Sequence, residues 1–409
     1  MQVATTVSNT LFDPARHEGL NGPLWDEAAA RAAVQRMVQD ALQDFSPQGL
    51  WRAHALDDPA TPDTRYSMLY FGAGGIIWAL RHLSRQGFVE PAELARFDAT
   101  VPTLVQRNRE VGETHLAGTQ SLFMGDSGLL LLQWQAAPSQ AVADQLFDVV
   151  QGNLHHPARE MLWGSPGTLV AAIHMAEATG EPRWAELFAR GVNILWDEMV
   201  FDAELGAWLW WQDLYGKVVC YIGAGHGFAG NLYPVMRGAA LLPPAVVQGF
   251  ADRALQTVQA LAMRQDGCTN WPPSHPQSAN GKMLVQDCHG APGIVCRLAG
   301  APRTPAWDAL LLDAGQTTWR AGPLAKGSGL CHGTAGNGYA LLKLWQRSGD
   351  ALWLARARAF AMHAATQVDA QREASGHARH SLWTGDIGVA LFIASCLQQD
   401  SRLPMLDVF

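Results

Sequence analysis

One short pattern organises the hydrophobic positions of this chain: Gly-x-x-Gly followed by an apolar run. It recurs seven times, at Gly72/Gly75, Gly125/Gly128, Gly164/Gly167, Gly227/Gly230, Gly290/Gly293, Gly333/Gly336 and Gly385/Gly388. Runs such as 76–80, 129–132, 168–175, 339–345 and 389–396 are apolar around most of a helical circumference, as expected of helices buried on several sides. Between them lie 28–44, 91–106, 140–150, 183–199, 244–263, 305–319 and 351–367. There apolar residues recur at spacings of three and four while Arg, Gln and Asp face away, the pattern of a helix with one buried face. The alternation predicts an all-α fold, an α/α toroid with an inner ring of seven helices and an outer ring of seven. Every inner helix would start at the same end, so all seven Gly-x-x-Gly turns gather around one mouth, where chemistry is expected. Residues 266–286, with Pro272, Pro273 and Pro276, are expected to loop over one face as a substrate wall. No linker or composition shift marks a second unit, so residues 1–409 are expected to form a single toroid domain with 1–25 extended or irregular.

Composition narrows the partners. With 48% hydrophobic and 16% charged residues the chain can bury a large core, which excludes a disordered class. A net charge of −8 without any Lys/Arg run argues against nucleic acid and against an anionic membrane surface. No window approaches the roughly 20 apolar residues of a membrane span, so no membrane insertion is expected. Residues 1–20 lack the apolar core of a secretory signal, and six scattered cysteines are too few for a disulfide framework. A cytoplasmic location follows as an expectation, with small molecules or peptides as partners.

The candidate chemistry lies in two near-copies, Cys288-His289-Gly290-Ala291-Pro292-Gly293 and Cys331-His332-Gly333-Thr334-Ala335-Gly336. A catalytic zinc site takes three converging protein ligands and leaves a fourth position open. Cys288, Cys331 and His332 could supply them, since the two cysteines head adjacent inner helices and a helix N-terminus favours the thiolate. Chance occupation of one helix start by Cys-His is plausible; two six-residue copies at equivalent places point to a metal. His289 would complete a closed structural site and is read as a packing residue. His226 holds the slot just before Gly227 and is a candidate acid/base, with a structural histidine as the alternative. Asp126 and Asp386 read as helix caps, and Glu160, four residues before Gly164, stays open between a cap and a functional carboxylate. Lys326, five residues before Cys331, could hold a substrate carboxylate. Cys296 and Cys396 fall inside apolar helices and read as core, and Cys220 and Cys268 lack partners at ligand spacing.

On these residues the chain resembles the lanthionine synthetase C-like family, over about 67–397. The likeness is most specific in Gly225-His226-Gly227-Phe228-Ala229-Gly230, in 284–293 and in 326–341. Within the family the chain is more similar to the stand-alone glutathione-binding branch than to peptide cyclases, which more often carry Cys-Tyr-Gly in place of Cys288-His289-Gly290. The resemblance implies the same double ring of helices, zinc on Cys288, Cys331 and His332, an acid/base role for His226 and an acidic partner in Glu160. It also places Lys326 near a bound thiol substrate. Asp287 stands where the family usually has Trp, which puts a carboxylate among the expected substrate-binding residues. The family's N-terminal glutathione contacts find no match in residues 1–20.

The implied reaction is zinc-dependent addition of a thiol, glutathione or a peptide cysteine, to dehydroalanine or dehydrobutyrine in a peptide or protein, giving a thioether. Two alternatives keep the metal: a lanthipeptide cyclase, and a non-catalytic glutathione-binding or scaffold protein. A carbohydrate-active toroid, suggested by 16 Trp, would need two carboxylates facing one cleft and no metal.

Overall fold

The second glycine of each Gly-x-x-Gly pair has a steric reason. A Cβ at Gly75, Gly128, Gly167, Gly230, Gly293, Gly336 or Gly388 would lie 1.8–2.5 Å from the carbonyl oxygen of the residue six positions earlier. No side chain fits such a gap, so glycine is required. The same glycines meet the preceding repeat. Gly128 abuts the Leu69 side chain, Gly167 Leu122, Gly230 Met161, Gly293 Ala224, Gly336 Asp287 and Gly388 Leu330, and Gly75 completes the circle on Leu382.

A computed structural model describes residues 11–20, 22–57, 64–111, 120–277 and 281–409. The seven glycine turns open the inner helices α2 (Ala73–Arg85), α4 (Asp126–Ala136), α6 (Ser165–Thr179), α8 (Phe228–Arg237), α10 (Ala291–Leu298), α12 (Thr334–Ser348) and α14 (Asp386–Gln398). Each packs on the next, and α14 packs on α2, so the inner ring returns to its start. The outer helices are α1 (Glu27–Gln43), α3 (Leu104–Val111), α5 (Gln140–Gly152), α7 (Pro182–Asp197), α9 (Pro244–Ala260), α11 (Pro305–Ala321) and α13 (Ala351–Ser375). Helix α1 lies against α14 and α13, and Arg36 and Arg372 pair with Asp369 and Asp40 across that seam. Among the described residues the observed fold is therefore the all-α toroid of seven inner and seven outer helices. No described helix is long and apolar enough to cross a membrane.

Three local differences from the sequence expectation have physical causes. The stretch 91–106 is broken into two 3-10 turns, Pro91–Phe97 and Val101–Thr103, before α3 begins, because Pro102 cannot continue an α-helix that started at Pro91. The α7–α8 connection folds into two hairpins, β1 (Val200–Asp202) with β2 (Ala207–Leu209) and β3 (Gln212–Leu214) with β4 (Lys217–Tyr221). The 266–286 connection is partly strand: β5 (Met263–Gln265) pairs with β6 (Cys268–Asn270), and β7 (Ser274–His275) joins the edge of β4. That last pairing brings the proline-rich stretch against the wall of the α8 turn, where Ile222 N–H donates to Pro273 O at 3.0 Å. Of the N-terminal segment expected to be irregular, residues 1–10 and 21 lie outside the described residues, and Pro14–Arg16 forms a 3-10 turn.

The glycine requirement is testable at one repeat. Gly336→Ala, whose methyl would sit 1.8 Å from Leu330 O, should lower stability by about 2 kcal/mol or more. Gly300→Ala, whose nearest neighbour would be 3.6 Å away, should change it by about 0.5 kcal/mol or less. Equilibrium unfolding of the two variants beside the parent chain reads the difference.

Candidate metal and thiol site

Two residues before each first glycine, the chain passes equivalent points of the mouth: Tyr70, Phe123, Leu162, Gly225, Cys288, Cys331 and Trp383. Main-chain hydrogen bonds join most of them in succession. Gly225 N–H donates to Cys288 O at 3.1 Å, Cys288 to Cys331 O at 3.1 Å and Cys331 to Trp383 O at 2.8 Å; Trp383 then donates to Tyr70 O at 2.9 Å and Tyr70 to Phe123 O at 3.0 Å. The two cysteines expected to share a metal are thus adjacent links of one hydrogen-bonded series of turns.

Local contacts fix the Cys288 turn. Asn270 on β6 donates to Leu284 O at 3.0 Å and accepts from Ala291 N–H at 2.7 Å, closing both ends of the turn, while Asn337 on α12 donates to Val285 O. Gly290 has φ +108°, a left-handed conformation that lets the chain swing from the cysteine into α10. The Cys288 and Cys331 sulfurs and a ring nitrogen of His332 all lie within 4.8 Å of one another. A tetrahedral zinc with bonds of about 2.3 Å to sulfur holds its ligands roughly 3.5–4 Å apart, so small side-chain rotations would close the set around an ion. The donor chemistry, two sulfurs and one imidazole, fits zinc and leaves one coordination position for a substrate.

The electrostatics suit this donor set. The Cys331 thiol is held well below its ordinary pKa, first by a hydrogen bond from Cys288, against the opposing effect of burial, and further by His332 and the Tyr70 hydroxyl. Cys288, which shares the proton with Cys331, is pushed up by that hydrogen bond and by burial, although Gln286 Nε2 also donates to its sulfur at 3.0 Å. Tyr70 is the mouth residue that the sequence patterns leave unmarked. Burial and the neighbouring Cys331 keep its hydroxyl protonated, and its ring stacks on Trp383 at 6.2 Å with an interplanar angle of 2°. The signal for it lies in superposing the seven repeats, where Tyr70 occupies the same position as the two cysteines.

A second group of residues faces the same mouth. Glu160 is fully buried; its carboxylate accepts Leu162 N–H at 2.9 Å, Trp163 N–H, and Nδ1–H of His226 at 2.7 Å. The turn that carries it is pinned at Arg159 O by Asn231 and Gln212. Burial opposes charge on His226, but the Glu160 hydrogen bond and carboxylate outweigh it, and the Cys331 charge adds to them, so the His226 pKa is raised above its ordinary value. With Nδ1 committed to Glu160, Nε2 is the nitrogen left to exchange a proton. The rings of Tyr215, Tyr221 and His289 surround it at 5.9, 5.9 and 6.0 Å. His289 itself is pushed down to about 4 by burial and by the nearby His226, and so stays neutral.

Of the remaining expected residues, Lys326 lies exposed on the turn that leads into α12. The expectation for Asp287 is corrected. Its side chain is 4% exposed and turned inward, where its two oxygens meet Arg297 Nη1 and Nη2 at 3.2 and 2.8 Å. The other residues at its ring position are Leu69, Leu122, Met161, Ala224, Leu330 and Leu382, all buried and apolar. A carboxylate there must be paired, and Arg297, ten residues on along α10, is its partner.

The chain is similar to several known proteins. The curated relatives include glutathione S-transferase LANCL1 of Danio rerio, 31% identical over 203 residues that make up 46% of each chain. They also include LanC-like protein GCL1 of Arabidopsis thaliana, 30% identical over 195 residues, 46% of this chain and 43% of the relative. The chain thus spans about half the length of the curated relatives it matches. Among solved structures, nisin cyclase superposes with a TM-score of 0.64 at 14% identity, covering 91% of this chain and 95% of the other, a likeness of fold. The family model for lanthionine synthetase C-like proteins matches residues 53–408, and the chain belongs to that family.

Proposed function

We propose that this chain adds a thiol, glutathione foremost, to the β-carbon of a dehydroalanine or dehydrobutyrine residue in a peptide or protein, forming a thioether. One observation carries the proposal: a two-sulfur, one-imidazole ligand set and a buried Glu160–His226 pair open onto the same mouth. Cys288, Cys331 and His332 would hold a zinc ion, which, when bound, keeps an incoming thiol as its nucleophilic thiolate at neutral pH.

The chain's own residues supply the rest of the chemistry. Attack of sulfur on the β-carbon makes the C–S bond and shifts the double-bond electrons towards the α-carbon and its carbonyl. His226 Nε2–H delivers the proton to the α-carbon, and Glu160 holds the ring by Nδ1 and stabilises the charged imidazole before transfer. The thiol's own proton returns to His226 through solvent, so the sum is one thiol plus one alkene giving one thioether. The Tyr70 hydroxyl and Gln286 amide orient the Cys331 and Cys288 sulfurs. Lys326, exposed beside the ligand turn, is suited to a glutathione carboxylate.

The direct test is elemental analysis of the purified chain, then incubation with glutathione and a dehydroalanine peptide. Mass spectrometry should find about one zinc per chain and a glutathione adduct, both absent in Cys331→Ala. A metal-free parent without an adduct would remove the reading, and adduct formation by His226→Ala at the parent rate would remove His226 from the proton transfer. The pH dependence has a defined sign. Activity should fall as pH rises through the raised His226 pKa, because the acid form is lost. Glu160→Gln removes the cause of the elevation and leaves burial, so the alkaline limb of the kcat/KM profile should move to lower pH. Lys326→Ala should raise KM for glutathione about two- to fivefold with kcat little changed, the effect of one exposed ion pair, measured by steady-state kinetics.

A further inference from the structure

At the end of the toroid opposite the mouth, between the C-terminal ends of α8, α10 and α12, lies a cavity of about 560 Å³. Its wall is rich in cations: Arg237, Arg297, Arg303, Lys343 and Arg347 face it, against the single carboxylate of Asp407. Part of this charge is spent on the protein itself. Arg347 donates to Ala299 O, Ala301 O, Pro302 O and Asp308, capping the end of α10, and Arg237 pairs with both oxygens of Glu177. Asp407 is fully used by the Tyr233 hydroxyl, Lys343 Nζ and Leu403 N–H.

Two donors remain, since Arg297 is 3% exposed and its terminal nitrogens hold Asp287. Lys343, 11% exposed, offers Nζ hydrogens beyond the one on Asp407. Arg303 stands at the exposed rim with no carboxylate paired to it among the described residues. The balancing acids do not cancel the field inside. Glu177 and Asp308 are about half exposed outside the lining, where water and salt screen them, and Asp287 sits deeper, behind the Arg297 guanidinium.

We propose that this cavity is a second ligand site, for a small molecule carrying a phosphate or carboxylate group. Its oxygens would accept from Lys343 Nζ and from Arg303, whose guanidinium fork presents parallel N–H groups suited to an oxyanion. The volume falls within the range of small-metabolite pockets. Arg297 belongs to both this cavity and the ion pair with Asp287, so an occupant would touch the residue that anchors the neighbour of Cys288.

Isothermal titration of the zinc-loaded full chain at low ionic strength, with inorganic phosphate and separately with succinate, tests the site. Removing Arg297 would leave Asp287 buried without a partner, so the variants are placed on exposed wall residues: Arg303→Glu and the isosteric Gln346→Glu. Saturable one-site binding of at least one anion is expected, weakened roughly tenfold or more by either variant through like-charge repulsion and unchanged in His226→Asn. Tighter phosphate assigns a phosphate ligand, tighter succinate a carboxylate, and equal affinity a general oxyanion site. Absence of saturable binding to both probes, indifference to both variants, or loss in His226→Asn would overturn the proposal.

Discussion

At each of the seven second glycines the start of an inner helix lies against a carbonyl six residues back, so close that an added methyl would stand within 2.5 Å of the oxygen. That approach decides where the helix axis runs relative to the turn before it. Because each glycine also touches the side chain of the previous repeat, the spacing of neighbouring inner helices follows from the same contact. The outer helices are less constrained: one can break at Pro102, and two connections can grow hairpins, without altering the ring.

Main-chain hydrogen bonds join six of the seven turns among the described residues, and their side chains divide by chemistry. On one side Tyr70, Phe123 and Trp383 make an aromatic cluster, with Phe123 and Trp383 edge to face at 5.1 Å. On the other stand Cys288 and Cys331, and beyond Gly225 the Glu160–His226 pair. Tyr70 joins the two sides, stacking on Trp383 through its ring and reaching Cys331 through its hydroxyl. The mouth therefore offers an apolar face beside a face of sulfur and imidazole groups.

The toroid was legible because its signal repeats: one glycine pair means little, seven before apolar runs define a ring. The clustering of Cys288, Cys331 and His332 was legible for the same reason, as two copies of one block. What escaped depends on contacts that spacing does not encode. Glu160 and His226 were both named through the family resemblance, but they are 66 residues apart, and only the fold shows the contact of Nδ1 with the carboxylate. Asp287 looked like a mouth residue beside Cys288, but successive residues of a turn point to opposite sides, and Arg297 settles which side it takes. Strands of three to five residues, as in β1 to β4, are too short for a period to register. Tyr70 carried no mark of its own; its importance comes from position within the ring.

The direct amide link from Cys288 to the Cys331 carbonyl separates two design problems. Distance between the two cysteines is set by peptide geometry, which every amino acid shares, whereas the surrounding walls are built from hairpins and connections of independent length. The walls can therefore diverge through insertions and replacements while the spacing of the two cysteines is inherited intact. A lineage built on such a scaffold is free to remodel its mouth without rebuilding that pair.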